Sequence, residues 1–273
     1  MYENAYEIFK YLPIESAEES VYIQHLWGSF ELLNKSDEPV KAFSLLPFHL
    51  LFMFAVQYKV YRLSAHDNAR YIEILSRCYA NAGNRKQLEI NAPIRNKDGI
   101  ILSECSVRNL SLIKEKELFD FLEIINCDKS VIDKAKLLVE SRGNYAHANG
   151  QIEEDVNTRI DEYLEILQHI QDKISGVNNQ IFEIDENIQE FDDIDEYIME
   201  TFRDNQFGSK DFGSVIQKIL ESESLTFEQW EQFIQKGLDY CYEETIQALE
   251  YISHNSQDEA KSFNAKQKLE VLL

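Results

Sequence analysis

One short stretch of the sequence combines residue types that can act together on a phosphate: Arg142-Gly143-Asn144-Tyr145-Ala146-His147. The always-charged, planar guanidinium of Arg142 can bind non-bridging oxygens as negative charge develops in a transition state. A neutral His147 can accept the proton of a ribose 2′-OH, and a protonated one can donate to the leaving 5′ oxygen. Asn144 could orient either group. The stretch therefore predicts RNA cleavage without a cofactor or metal ion, with Arg142, His147 and Asn144 as catalytic residues.

The spacing of this motif imposes a geometric condition. Five residues of a regular helix turn through about 500°, so Arg142 and His147 would point about 140° apart on one. Gly143 permits a bend and Asn144 is a suitable N-cap. We therefore expect the helix to break at these two residues, and a helix beginning there would favour a bound phosphate.

Helical patterns dominate the rest of the chain, which has only nine Gly and four Pro. So few turn-forming residues argue against a β-sandwich or barrel, which need many turns. Apolar spacing predicts an all-α protein. The predicted helices cover residues 17–34, 47–63, 67–79, 118–125, 131–138, 152–174, 181–202, 212–221, 227–253 and 258–273. Residues 47–63 are apolar on most sides, which is typical of a central core helix.

Residues 88–107 show a different pattern. Two short apolar runs flank a turn-forming cluster that ends in Asp98-Gly99, which predicts a small β-hairpin inserted in the helical body. Arg95 and Lys97 lie in that turn and are weak candidates for binding RNA, as is Tyr145 by stacking. The alternative for the two basic residues is an ordinary solvated surface.

Charge is distributed unevenly along the chain, whose formal net charge is −22. Residues 41–147 carry 16 Lys and Arg against 12 Asp and Glu, whereas residues 148–273 carry 9 against 29. A mildly basic middle could face RNA despite the acidic total, because repulsion depends on local charge. The acidic run 192–196 lacks the glycine and the spacing of a calcium loop, so a solvated helix face is expected there.

The cysteines, the N-terminal residues and the short apolar runs together predict a protein of the cytoplasm. Cys78, Cys105, Cys127 and Cys241 lie far apart without metal-ligand spacing, so free thiols are expected. No secretory signal is visible at residues 1–10. The most apolar run, 47–56, is about half the length of a membrane span.

The run Arg142 to His147 resembles the signature of the HEPN superfamily, in which an Arg and a His are separated by four residues at a helical junction. The resemblance covers residues 41–175 and implies an antiparallel helical bundle, flanked here by an N-terminal helical segment (1–40) and an acidic helical extension (176–273). It further implies a metal-independent endoribonuclease that acts as a homodimer, with two motifs in one cleft. Many such proteins are toxins or antiviral-defence effectors, so an antitoxin or a defence protein is an expected partner.

Two departures and one alternative accompany this resemblance. Gly143 occupies the position where the polar residue most often follows the Arg, and Asn149 stands where one branch carries a Tyr that is nucleotidylated. An Arg-x4-His also occurs by chance, and a His near a helix start is often only a cap. The alternative function is therefore a non-catalytic helical scaffold whose acidic C-terminal region binds a partner.

Overall fold

The computed structural model describes residues 2–13, 17–37, 40–82, 110, 113–146, 155–184, 188, 191, 194–205 and 207–273, with backbone alone for 17–19, 79–82, 143–146 and 203–205. Helices make up 86% of the described residues, and no strand occurs among them. The all-α prediction is thus confirmed. The hairpin predicted at 88–107 lies outside the described residues.

The described residues form ten α-helices and three 3-10 helices. The 3-10 helices are η1 (Glu3–Lys10), η2 (Val40–Ser44) and η3 (Glu115–Ile125). The α-helices are α1 (Ala17–Asn34), α2 (Leu45–His66), α3 (Asn68–Ala82), α4 (Lys129–Ala146), α5 (Val156–Ile181), α6 (Ile194–Asn205), α7 (Ser209–Glu221), α8 (Phe227–Tyr240), α9 (Tyr242–Asn255) and α10 (Glu259–Leu272).

Several helices begin where the sequence offers a capping side chain. Asp67 accepts a hydrogen bond from the backbone of Arg70 at the start of α3, as predicted. Thr226 and Gln229 form the reciprocal capping box predicted for α8. Asp155 caps α5 by accepting a hydrogen bond from the backbone N–H of Thr158. These starts are set by local chemistry, because each cap satisfies backbone N–H groups that have no partner inside the helix.

The helix predicted over residues 227–253 is two helices. The chain turns at Cys241, where φ is −151° and ψ is 65°. A Cβ on Gly237 would lie 2.4 Å from Oγ1 of Thr245. Eight residues in one straight helix would be about 12 Å apart, so this contact requires the turn, and it brings α9 back against α8.

The first hydrophobic core is built around α2 and contains side chains from residue 5 to residue 177. Its central members are fully buried: Phe48, Leu51, Phe52, Val56, Val60, Phe119, Phe121, Ile160, Tyr163, Ile166 and Ile170. The region from Val40 to His66 is, among the described helical residues, the one long and apolar enough to cross a membrane, and 61% of its most apolar window is buried in the protein. The core packing predicted for residues 47–63 is confirmed.

The second hydrophobic core contains side chains from Phe182 to Ala265. Trp230 is fully buried and donates its indole N–H to the carbonyl oxygen of Leu220, 3.1 Å away. Because the helix α5 extends to Ile181, it lies in the first core along most of its length and leads directly into the second.

A buried polar network joins the two parts of the chain. Asp211 on α7 is fully buried, and its carboxylate pairs with Arg62 on α2. Gln171 and Asn178 of α5 donate amide hydrogens to the same carboxylate at 3.0 and 2.9 Å. Lys59 completes the network, with Nζ 3.5 Å from Oδ1 of Asp211. A buried carboxylate requires this many partners because its desolvation is otherwise prohibitive.

Candidate functional site

Arg142 lies on α4, one turn before the last described residue of that helix, Ala146. Its side chain is 25% exposed and forms an ion pair with Glu115, the first residue of η3, whose side chain is 30% exposed. The guanidinium is therefore neither buried in a core nor extended into solvent. It is fixed at the surface by a carboxylate from another element.

The predicted break of the helix at Gly143 and Asn144 is wrong. Both residues belong to α4, which continues to Ala146. A glycine inside a helix costs about 1 kcal/mol relative to alanine. Here that cost is outweighed by packing of α4, whose Ala135 and Leu138 are buried in the first core. Asn144 is consequently not an N-cap, and α5 takes its cap from Asp155 instead.

The other predicted site residues fall partly or wholly outside what the structure describes. The backbones of Asn144 and Tyr145 are helical, but their side chains lie outside the described part. His147, Arg95 and Lys97 are all outside the described residues. Of the six predicted site residues, Arg142 is thus the one with a described side chain.

Two residues that sequence reasoning did not assign to the site lie beside Arg142. Oε2 of Glu115, which accepts from Arg142, is also 3.3 Å from Nε2 of His49. His49 is fully buried on α2, as expected of a hydrogen-bonded core histidine. Its Nδ1 lies 3.0 Å from the hydroxyl of Tyr163 on α5. The sequence carries no signal that joins these residues, because they are separated by 27 to 114 positions.

Burial and hydrogen bonding determine the charge states in this cluster. Burial lowers the pKa of His49 from its ordinary value, an effect that the hydrogen bond to Glu115 only partly offsets. The hydrogen bond from His49 lowers the pKa of Glu115, and Arg142 acts in the same direction. At neutral pH the cluster therefore contains a neutral His49, an ionised Glu115 and a positive Arg142.

The pairing of Arg142 leaves part of its guanidinium unused. Glu115 engages Nη2, while Nε is buried and has no hydrogen-bond partner among the described residues. A guanidinium has five N–H donors in a planar fork, and it commonly binds carboxylate or phosphate oxygens in pairs.

The described acidic, histidine and cysteine side chains include no group of three that could bind a metal ion. Cys78, Cys127 and Cys241 are buried free thiols, as predicted, and Cys105 lies outside the described residues. In the acidic run, Asp195 pairs with Lys236 of α8 at 2.7 Å.

A second surface feature lies between α8 and α10. A groove of about 470 Å³ has apolar lining residues that include Ile234, Leu238 and Leu272. Lys268 and Glu231 form an ion pair of 3.2 Å at this groove.

Comparisons with protein-family models, with curated proteins and with solved structures found no significant match to this chain.

Proposed function

We propose that the protein is a metal-independent endoribonuclease of the HEPN type, active as a homodimer in the cytoplasm. The observation that carries the proposal is the placement of Arg142, a partly exposed cation with an unused donor, fixed five positions before His147. The all-α fold is compatible with the helical bundle that the resemblance implies.

The proposed reaction is a transesterification within the RNA. The ribose 2′ oxygen attacks the adjacent phosphorus, its bond to phosphorus forms, and the bond to the 5′ oxygen breaks. A neutral His147 accepts the proton of the 2′-OH, and a protonated His147, supplied by the second subunit, donates to the leaving 5′ oxygen. Arg142 stabilises the charge on the non-bridging oxygens. The products are a 2′,3′-cyclic phosphate and a 5′-hydroxyl.

The helical geometry of the motif supports the proposal of a dimer. A break of the helix at Gly143 and Asn144 would bring Arg142 and His147 of one chain together. The helix α4 does not break at these two residues. A second subunit contributing its own motif supplies both groups to one phosphate. Asn144 would orient the substrate or His147, with Tyr145, Arg95 and Lys97 as weaker RNA contacts. A toxin or antiviral role, with an antitoxin or defence protein as partner, belongs to the same proposal.

Cleavage of mixed-sequence RNA in EDTA tests this function. The parent protein should cut, whereas Arg142→Ala and His147→Ala should lose about 10²-fold or more of the rate. Arg77→Ala and His169→Ala are matched controls, because the side chains of Arg77 and His169 are each 50% exposed and pair with Asp120 and Glu165, which are not motif residues. Equal cutting by the parent and both motif variants would refute the mechanism.

A non-catalytic interaction protein is the second candidate. It is favoured by the acidity of residues 177–273, which carry 22 Asp and Glu against seven Lys and Arg, and by the groove between α8 and α10. A basic protein would be the partner, since opposite charges accelerate encounter and set register. This candidate predicts a salt-sensitive complex, no RNA cleavage and tolerance of His147→Ala.

A further inference from the structure

Three separate elements meet at the carboxylate of Glu115, and a fourth contacts one of its partners. The residue begins η3, and its contacts come from α4 through Arg142 and from α2 through His49. Tyr163 of α5 stands behind His49. One partner of this carboxylate is a partly exposed arginine, and the other is a fully buried histidine. This arrangement differs from an ordinary surface ion pair, because the histidine cannot move without disturbing the core.

The directions of these hydrogen bonds follow from chemistry. An ionised Glu115 has only acceptors, so Nε2 of His49 must donate to it. A neutral imidazole then has its acceptor at Nδ1, which accepts a hydrogen bond from the hydroxyl group of Tyr163. The resulting chain runs from Tyr163 to His49 to Glu115, and Arg142 donates to the end of that chain.

We propose that Glu115 is the positioning residue of Arg142. Its carboxylate holds Nη2 of the guanidinium and leaves the exposed part of the Arg142 side chain for a phosphate of RNA. This inference rests on the proposed function. Because the carboxylate is oriented by His49 before RNA arrives, Arg142 need not be reorganised during the reaction, and this preorganisation is what makes such charges effective in catalysis.

Glu115→Gln tests the proposal in the whole 273-residue chain, with Glu123→Gln as the matched control. Glu123 is an exposed residue of the same helix η3. In the Glu115 variant we expect kcat for RNA cleavage to fall by about 10- to 100-fold, the effect of misplacing a catalytic group by about 1 Å, with KM nearly unchanged. The control should keep the parent kcat. Cleavage by Glu115→Gln at the parent kcat overturns the proposal.

A second readout does not depend on cleavage. Phenylglyoxal modifies accessible arginines, and peptide mass spectrometry gives the rate at each one, with the half-exposed Arg77 as internal reference. The rate at Arg142 should rise in Glu115→Gln and in His49→Gln, while the rate at Arg77 should stay constant. An unchanged rate at Arg142 in both variants would overturn the positioning role.

The two readouts separate failure of this inference from failure of the proposed function. If the parent does not cut RNA, the proposed function is wrong, and the modification rates alone decide whether Glu115 positions Arg142. If the parent cuts RNA, and Glu115→Gln changes neither kcat nor the modification rate at Arg142, the proposed nuclease function is retained and the positioning role is wrong.

Discussion

Arg62 and Asp211, 149 positions apart in the chain, form a two-point ion pair in which Nη1–Oδ1 is 2.7 Å and Nη2–Oδ2 is 3.0 Å. Neither side chain is more than 4% exposed. The pair connects α2 of the first core with α7 of the second core. Removing one member would leave the other charge buried without a partner. The association of the two cores is therefore sensitive to a single substitution at either residue.

Replacing Asp211 with asparagine should destabilise the protein strongly. The change preserves shape but leaves Arg62 and Lys59 buried without a counter-charge, which typically costs about 3–5 kcal/mol. Urea denaturation measures the loss. Asp195→Asn is the control, since its pair with Lys236 is solvent-exposed and should contribute about 1 kcal/mol or less. A loss of less than about 1 kcal/mol in Asp211→Asn would contradict this account of the pair.

The contribution of Asp211 should disappear in acid. Burial by itself would raise its pKa, but Arg62 and Lys59 outweigh that effect, so the folded-state pKa lies below the ordinary value of 3.8. A depressed carboxyl pKa stabilises the folded state above pH 3.8 and ceases to do so as the pH falls through the folded-state value. The gap in unfolding free energy between the parent and Asp211→Asn should therefore be constant near neutrality and narrow below about pH 4. A gap that widens in acid would be inconsistent with the pairing.

Lys59 should make the folded protein more stable as the pH rises above 8. Burial lowers its pKa from 10.5 to about 8, despite the attraction of Asp211. The charged form is thus disfavoured in the folded state, and this penalty, present below pH 8, is relieved as the pH rises toward 10.5. Relative to Lys59→Met, the parent should gain up to about 3 kcal/mol of unfolding free energy across that interval. Chemical denaturation at pH 7, 8, 9 and 10 checks this, and a parallel pH dependence of the two proteins would disprove it.

Gly208 should tolerate no side chain. A Cβ at this N-cap of α7 would lie 2.0 Å from the backbone carbonyl oxygen of Leu12, so the N-terminal segment would have to move. We expect Gly208→Ala to cost about 2 kcal/mol or more, as overpacking does. Gly176→Ala is the matched control, because nothing lies within 4 Å of the added Cβ inside α5. The control should gain about 0.5–1 kcal/mol. Equal melting temperatures of the two variants would contradict the close approach.

Arg142→Lys should separate charge from geometry at the proposed active site. Lysine keeps the positive charge but lacks the planar fork, so it cannot contact Glu115 and a phosphate with the same rigid group. RNA cleavage should fall by about 10²-fold, comparable to the loss of one oxyanion donor, while the melting temperature changes little. Arg77→Lys should cleave as the parent does. Full activity of Arg142→Lys would show that charge alone suffices.

Local signals in the sequence determined much of the secondary structure. The sequence predicts a helix over residues 17–34, which form α1, and the predicted capping box of Thr226 and Gln229 begins α8. Apolar residues on most sides of 47–63 correctly identified the core helix α2. These features are readable because caps and periodic apolar spacing act over a few residues. The sequence likewise points to Arg142 as a candidate for binding phosphate oxygens.

Contacts between residues that are distant in the chain depend on the packing of whole helices. Packing carries α4 through Gly143 and Asn144, although their individual propensities favour a break. Glu115 lies against Arg142 and His49 because η3, α4 and α2 share one core, and Arg62 reaches Asp211 because two cores adjoin. Such contacts depend on the burial of whole helix faces, a non-local free energy that no short stretch of sequence contains.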